Sequence, residues 1–186
     1  AASCQSELAG CRGAAKTEQS ARELAEKRAE AYRALAAKLR AAFGDEGLDI
    51  IIRDGRLVVQ LPNAILFDSG SRDLKPEGKE ALGKLAGVLK TQSDRRFLIA
   101  GHTDNIPVAK KSTAFRSNWE LSTQRATTAV EALVGFGVKP TQLGAAGYGE
   151  FMPETPNDDE KGRANNRRLE VIVMPNASEI PPVPKL

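Results

Sequence analysis

The 186 residues suffice for one domain of common size with extensions at either end. Apolar residues make up 41% and charged residues 27%, an ordinary globular balance, and no apolar run approaches the roughly 20 residues a membrane-crossing helix needs. A formal net charge of +3 with only 5% aromatics argues against nucleic-acid binding, which calls for a basic stripe interleaved with stacking rings.

Residues 1–13 hold both cysteines, Cys4 and Cys11. On a helix these stand about 10 Å apart along the axis, too far for a disulfide between them. From Ala14 to Phe43 the chain is rich in Ala, Glu, Lys, Arg and Leu and free of Gly and Pro, which predicts one long helix. Ala21, Ala25, Arg28, Tyr32, Leu35, Leu39 and Ala42 follow a four-three spacing, interrupted in character by Arg28. Such a seam suits either a homodimeric coiled coil or a helix packed on its own domain. Residues 14–47 are thus a helical spacer, stopped by Gly44 and Gly47.

Leu48 to Arg53 and Arg56 to Leu61 are β-rich runs around Asp54-Gly55, the pair that supplies the positive φ angles of a two-residue hairpin turn. Pro76 to Lys90 predicts an amphipathic helix with Leu82, Leu85, Ala86 and Leu89 on one face. Phe97 to Ala100 reads as a short buried strand. Asn118 to Phe136 reads as a second amphipathic helix, stopped by Gly135 and Gly137. Leu143 to Tyr148 predicts a strand, Lys161 to Asn166 a helical turn, and Leu169 to Met174 a closing strand. The tail 175–186, with Pro181, Pro182 and Pro184, predicts an extended segment. Strands interleaved with helices make the fold class α/β: an α+β sandwich spanning 48–174, its mixed sheet covered by helices.

Four segments exceed what folding alone requires: Phe67-Asp68-Ser69-Gly70-Ser71, Gly101-His102-Thr103-Asp104-Asn105, Asn118 to Ala126, and Gly162 to Arg168. Loops after strand ends are where such sheets present functional groups. Asp104 follows one strand, and Arg125 projects from the first two turns of a helix. A carboxylate and a planar guanidinium facing one cleft make a clamp for a zwitterion, the acid taking an ammonium and the fork taking a carboxylate. The same pair also fits a plain internal salt bridge or helix cap.

Read together and in order, Gly101-His102-Thr103-Asp104-Asn105, Leu121-Ser122-Thr123-Gln124-Arg125-Ala126 and Asn166-Arg167-Arg168 resemble the motif set of the OmpA-like C-terminal domain. The likeness extends from Phe67 to Val173. It implies a β-α-β-α-β core that binds peptidoglycan without catalysis, needing neither cofactor nor metal. It further implies that Asp104 accepts the ammonium of diaminopimelate in the stem peptide while Arg125 holds its carboxylate. Thr103, Asn105, Phe67, Asp68, Leu121 and Arg167 would shape the cleft. The 21 residues from Asp104 to Arg125 (125 − 104) exceed the OmpA/Pal spacing, and Ser117-Asn118-Trp119-Glu120-Leu121-Ser122 is similar to the MotB branch.

Ala1-Ala2-Ser3-Cys4 resembles a lipoprotein processing site, with Ala1 where leucine is usual, so Cys4 is a candidate lipidation site. The expected location is the periplasm, at the cell wall, tethered to the outer membrane by lipid or to the inner membrane by an upstream segment. Stator subunit and outer-membrane lipoprotein both stay open.

The rivals are an envelope adaptor with a vestigial cleft and a wall hydrolase using His102 with Asp104. Against the hydrolase, His102 is the only histidine, and no nucleophile-elbow pattern surrounds Ser69, Ser71 or Ser122. Trp119 is read either as a core anchor or as a sugar-facing platform. Arg167 is expected near the cleft, with Arg163 and Arg168 solvated.

Overall fold

The structure is a computed structural model that describes residues 2–44, 48–108, 114–176 and 179, with side chains from Gly10 onward. The Cys4 side chain and nearly all of the proline-rich tail lie outside the described residues.

Helix α1 spans Ala2–Phe43. It begins twelve residues before the predicted start (14 − 2), running through Gly10 and Gly13. Each interior glycine costs only about 1 kcal/mol against alanine, and the surrounding alanines and long side chains carry the helix across. Its last third packs on its own domain through Tyr32, Leu35 and Leu39, whereas residues 10–20 are exposed on every side. The four-three seam therefore folds back at its C-terminal end.

A hairpin follows, formed by β1 (Asp49–Arg53) and β2 (Arg56–Pro62) in the register Arg53↔Arg56. Asp54 and Gly55 take φ of 51° and 69°, the two left-handed positions that an Asp-Gly turn supplies. The remaining strands are β3 (Arg96–Gly101), β4 (Leu143–Gly147) and β5 (Arg168–Met174). The sheet order is β1-β2-β5-β3-β4, antiparallel throughout except for the parallel pair β3 and β4. That parallel pair needs a crossover, and α4 (Asn118–Gly135) provides it. Its C-terminus closes on Gly137 (φ 91°), whose N–H donates to the Val134 carbonyl while Val138 N–H donates to that of Leu133. This pair of hydrogen bonds and the burial of Leu133 with Val138 are the glycine-terminated helix end the sequence predicts.

Helices α1, α3 (Pro76–Leu89) and α4 cover one face of the sheet. Leu82, Leu85 and Leu89 of α3 and Ala126, Ala129 and Leu133 of α4 meet Leu57, Leu61, Phe97, Ile99, Leu169 and Val171 from the strands. Two short helices sit at the ends of strands and frame the cleft described below: α2 (Asn63–Leu66), which was not foreseen, and α5 (Glu160–Asn166), the helical turn expected at 161–166. A 3-10 turn at Pro140–Gln142, also unforeseen, leads into β4.

The opposite face carries a small apolar cluster, Val58, Ala100 and Ile172, and beside it a buried charged group. Glu170, fully buried in mid-strand, accepts from both terminal nitrogens of Arg53, from Arg168 Nε at 2.8 Å and from Gln60 Nε2 at 3.3 Å. The expectation that Arg168 is solvated is corrected: it is buried against Glu170 because period-two alternation puts both on the same sheet face. Arg163 is half-buried and pairs with Glu160 at 3.1 Å. His102 stacks on Tyr148 with ring centroids 5.2 Å apart and lies 3.5 Å from Glu170.

This arrangement sets an acid limb of stability. Burial opposes the Glu170 charge, but the His102 and Arg53 contacts and the field of Arg168 together outweigh it and hold the carboxyl well below the ordinary 4.5. Burial likewise lowers His102 below 6.5, against the pull of Glu170. Both groups take up protons less readily folded than unfolded, so stability is full above the unfolded values and falls as pH drops. Urea midpoints should fall modestly from about pH 7 to about pH 5, as His102 titrates in the unfolded chain, and steeply below about pH 4.5. A midpoint that stays level down to about pH 3.5 would contradict the arrangement.

Candidate functional site

At the C-terminal ends of β3 and β4 the chain opens a cleft of about 630 Å³ between α2, the loop after β3, the start of α4 and the end of α5. Two glycines allow the close approach that shapes it. A Cβ on Gly101 would stand 2.1 Å from the Ser122 carbonyl oxygen, and one on Gly147 2.2 Å from Thr123 Oγ1. Helix α4 therefore presses its first turns directly on the strand ends, which brings Arg125 over the cleft. Its start is fixed by Ser117, whose hydroxyl accepts from Glu120 N–H at 3.2 Å, while the Glu120 carboxylate accepts from Arg116 N–H at 2.8 Å.

Asp104 and Arg125 both line this cleft, the first only 6% and the second 5% exposed. They are not ion-paired with each other; among the described residues the partner of Asp104 is Arg167, at 2.6 Å. The other Asp104 oxygen accepts from Ile106 N–H at 3.1 Å, a local turn that orients the carboxylate. Arg167 also reaches Glu160, so one guanidinium bridges two carboxylates at the rim.

Arg125 is held by carbonyls, Nε donating to Ser71 at 2.8 Å and Nη2 to Asp68 at 3.3 Å, with the guanidinium 5.2 Å over the Phe67 ring. Burial pulls its pKa down to about 10, with Asp104 opposing and Arg167 adding to the fall. It stays cationic at neutral pH but poorly solvated. A guanidinium has five N–H donors, and two are used here, leaving three for a guest (5 − 2).

The other residues singled out from sequence divide. Phe67, Asp68, Thr103, Leu121 and Arg167 line the cleft with the pair. Asp68 contributes its carbonyl, its carboxylate being exposed and 3.7 Å from Lys75. Asn105 is exposed and does not line the cavity. His102 is buried on the far side against Tyr148 and Glu170, away from the cavity, which removes the His102–Asp104 pair the hydrolase reading needs.

Two further residues hold the site: Asn63, which carried no sequence signal, and Asn118, which the sequence marked only as the start of the segment 118–126. Asn63 donates from its backbone to Arg167 O at 2.8 Å and from its side chain to His102 O at 3.1 Å, tying three chain segments together. Asn118 places one amide nitrogen against Asp104 O, Ile106 O and Glu150 Oε2 at 3.3, 3.0 and 2.6 Å. A helix-start Asn is legible as a polar position, but its partners are set by the fold.

An acid and a desolvated guanidinium in one cleft, on a mixed sheet roofed by helices, define the class, and the chain belongs to the OmpA family, whose model matches residues 66–167. Within it the likeness is to MotB-type members. Motility protein B of Bacillus subtilis (strain 168) is 33% identical over 123 residues, covering 66% of this chain and 46% of that protein. A MotB-like protein from Desulfovibrio vulgaris superposes with a TM-score of 0.76 at 27% identity, covering 82% of this chain and 94% of that one. The cell wall anchor of the T6SS from Pseudomonas aeruginosa gives a TM-score of 0.67 at 29% identity, covering 75% and 95%. The chain spans about half the length of the curated relatives it matches. No helix of the described residues is long and apolar enough to cross a membrane.

Proposed function

We propose that this chain is a periplasmic wall-anchoring module that binds peptidoglycan non-covalently and performs no chemistry on it. The observation that carries the reading is the pairing of Asp104 with Arg125 as near-buried, opposite charges lining one cleft yet not joined to each other. In the finer form of the proposal, the guest is the diaminopimelate residue of a stem peptide. Its ammonium enters beside Asp104, competing with Arg167, and its carboxylate takes the donors left on Arg125. Family membership and the wall anchor among the structural relatives support the coarse reading.

The chemistry decides between wall types. A lysine in the same stem position has the ammonium but no carboxylate beside it, so Arg125 would stay unpaired and desolvated. Purified sacculi with diaminopimelate stems should retain the protein, and free diaminopimelate-containing stem peptide should release it. Equal release by the lysine-containing peptide would overturn the clamp.

One small zwitterion offers few contacts, so single-site retention is weak and a second copy multiplies it by avidity. The same proposal assigns a homodimer to α1, in the segment 14–43. Its support is an apolar groove of about 490 Å³ between α1 and β1, where Ile52 lies exposed beside Ala25 and Ala29. The tether is assigned to Cys4 lipidation or to a segment upstream.

A further inference from the structure

Outside the clamp, the least explained feature of the surface is an aromatic pair in solvent. Trp119 is 48% and Phe151 61% exposed, and their rings stack with centroids 5.1 Å apart and planes 22° from parallel. Of the two readings of Trp119, the core anchor is corrected by this exposure; neither ring joins the hydrophobic core. Exposed aromatic area of this kind contributes little to folding and marks a contact surface.

The pair is built on the same framework as the cleft. Trp119 follows Asn118, whose amide holds the carbonyls of Asp104 and Ile106 and the Glu150 carboxylate. Gly149, at φ 56°, turns the chain so that Phe151 meets the start of α4, and its carbonyl accepts from Thr103 N–H at 2.9 Å. Ile106, 54% exposed and lining the cleft, carries the apolar surface toward the clamp. The chain neighbours of the rings are acidic, Glu120 and Glu150, and the exposed Arg116, three positions before Trp119, is paired with Glu120 at 3.5 Å, so the local charge is not the basic cluster that an anionic lipid surface attracts. The apolar area is also small for a protein partner, whose stable interfaces take roughly 800 Å² from each side.

Flat exposed rings with carboxylates as chain neighbours suit a pyranose, which has a C–H face and an equatorial belt of hydroxyls and amides. We propose that Trp119 and Phe151 form a saccharide shelf, on which an N-acetylated sugar of the glycan strand stacks while its stem peptide lies in the cleft. This rests on the peptidoglycan reading of the cleft. The diaminopimelate is the third stem residue, so the sugar sits on the order of 10 Å from it along an extended chain, and Asn118, next to Trp119 in sequence, lines the cleft.

Trp119 is the sole tryptophan, so its emission reports on this spot alone. The full chain is titrated with three probes: a disaccharide bearing its diaminopimelate stem peptide, the free stem peptide, and peptide-free glycan. The disaccharide–peptide should shift Trp119 emission and bind more tightly than the free peptide. Phe151→Ala and Phe151→Leu should each weaken the disaccharide–peptide roughly tenfold, the upper end for an aromatic stacking contact, and leave the free peptide unchanged. Phe151 is so exposed that both variants should fold, which far-ultraviolet circular dichroism checks. The shelf is overturned if both variants bind the disaccharide–peptide like the native chain, or if the free peptide alone shifts Trp119 equally. It is also overturned if phosphatidylcholine vesicles shift the emission and glycan does not. Binding of glycan without any binding of stem peptide would instead sink the clamp and leave the shelf standing.

Discussion

Asp104→Asn will strip the protein from purified sacculi, weakening retention by roughly thirty-fold to several thousand-fold. That range follows from the 2–5 kcal/mol or so lost when one partner of a desolvated charge pair is removed. The substitution is nearly isosteric, and the amide oxygen still accepts from Ile106 N–H, so the local turn survives. What disappears is the anion. An incoming ammonium then meets a neutral amide with Arg125 and Arg167 close by, and the carboxylate left to Arg167, Glu160, stands out at the rim. Arg125→Lys should fail almost as badly. A lysine ammonium cannot reach the Ser71 and Asp68 carbonyls and still present a two-pronged donor to a carboxylate. Co-sedimentation with sacculi, on variants whose melting temperatures match the native chain, reads both. Native-like retention of Asp104→Asn would end the clamp proposal whatever happens at Arg125.

Much of what positions this cleft is written locally. The Asp54-Gly55 turn fixes the hairpin register because only two left-handed residues close a two-residue loop of that hand. The α3 and α4 faces follow from leucine and alanine spacing, and Gly137 ends α4 by the hydrogen bonds its conformation permits. Asp104 was legible as an acid in a loop and Arg125 as a cation early in a helix, and the ordered motifs gave them a common destination. Their partners were not legible. That Asp104 holds Arg167 and Arg125 holds two carbonyls depends on where α2 and α5 end, and α2 is too short to announce itself by periodicity, while the expected turn at α5 says nothing of its partners.

Other departures have equally local causes. The helix expected from Ala14 starts earlier, and α1 runs through Gly10 and Gly13 because its neighbours are strong helix formers. Trp119 reads from sequence as either core anchor or exposed platform, since large aromatics are usually core, and only the fold shows its ring paired with Phe151 in solvent. Glu170 is the instructive omission. A lone acid inside Leu169-Glu170-Val171-Ile172-Val173 is costly to bury unless cations meet it, and Arg168 two positions earlier shares its face. Arg53, 117 residues away in sequence, could be found only through the pairing of β2 with both β1 and β5.

That network yields the largest stability effect. Glu170→Ala should cost about 3–5 kcal/mol, because it leaves the buried Arg168 with only the longer contact to Glu154 at 3.6 Å and Arg53 without its main partner. Against the 5–15 kcal/mol or so that holds a typical domain together, such a loss brings unfolding near ambient conditions. Glu170→Gln should cost less, since the amide oxygen still accepts from one arginine, though its NH2 then faces the other. Arg53→Ala should cost least of the three, Arg53 being partly exposed and its loss leaving Arg168 on Glu170. Urea denaturation at about pH 7 gives the ordering, and the same series at about pH 4 separates electrostatics from packing. The native chain loses stability as pH falls through the carboxylate range, while Glu170→Gln has no carboxylate there to protonate and should show a shallower acid limb. If Glu170→Gln keeps the native slope, the acid limb belongs to other carboxylates and the buried network is not its source. Retention on sacculi per folded molecule should stay native in Glu170→Gln, because Glu170 lies on the sheet face beside His102 and not in the cleft. A selective loss of retention at unchanged stability would mean that Arg168 and its carbonyl contact to His102 transmit the charge of Glu170 to the Asp104 loop.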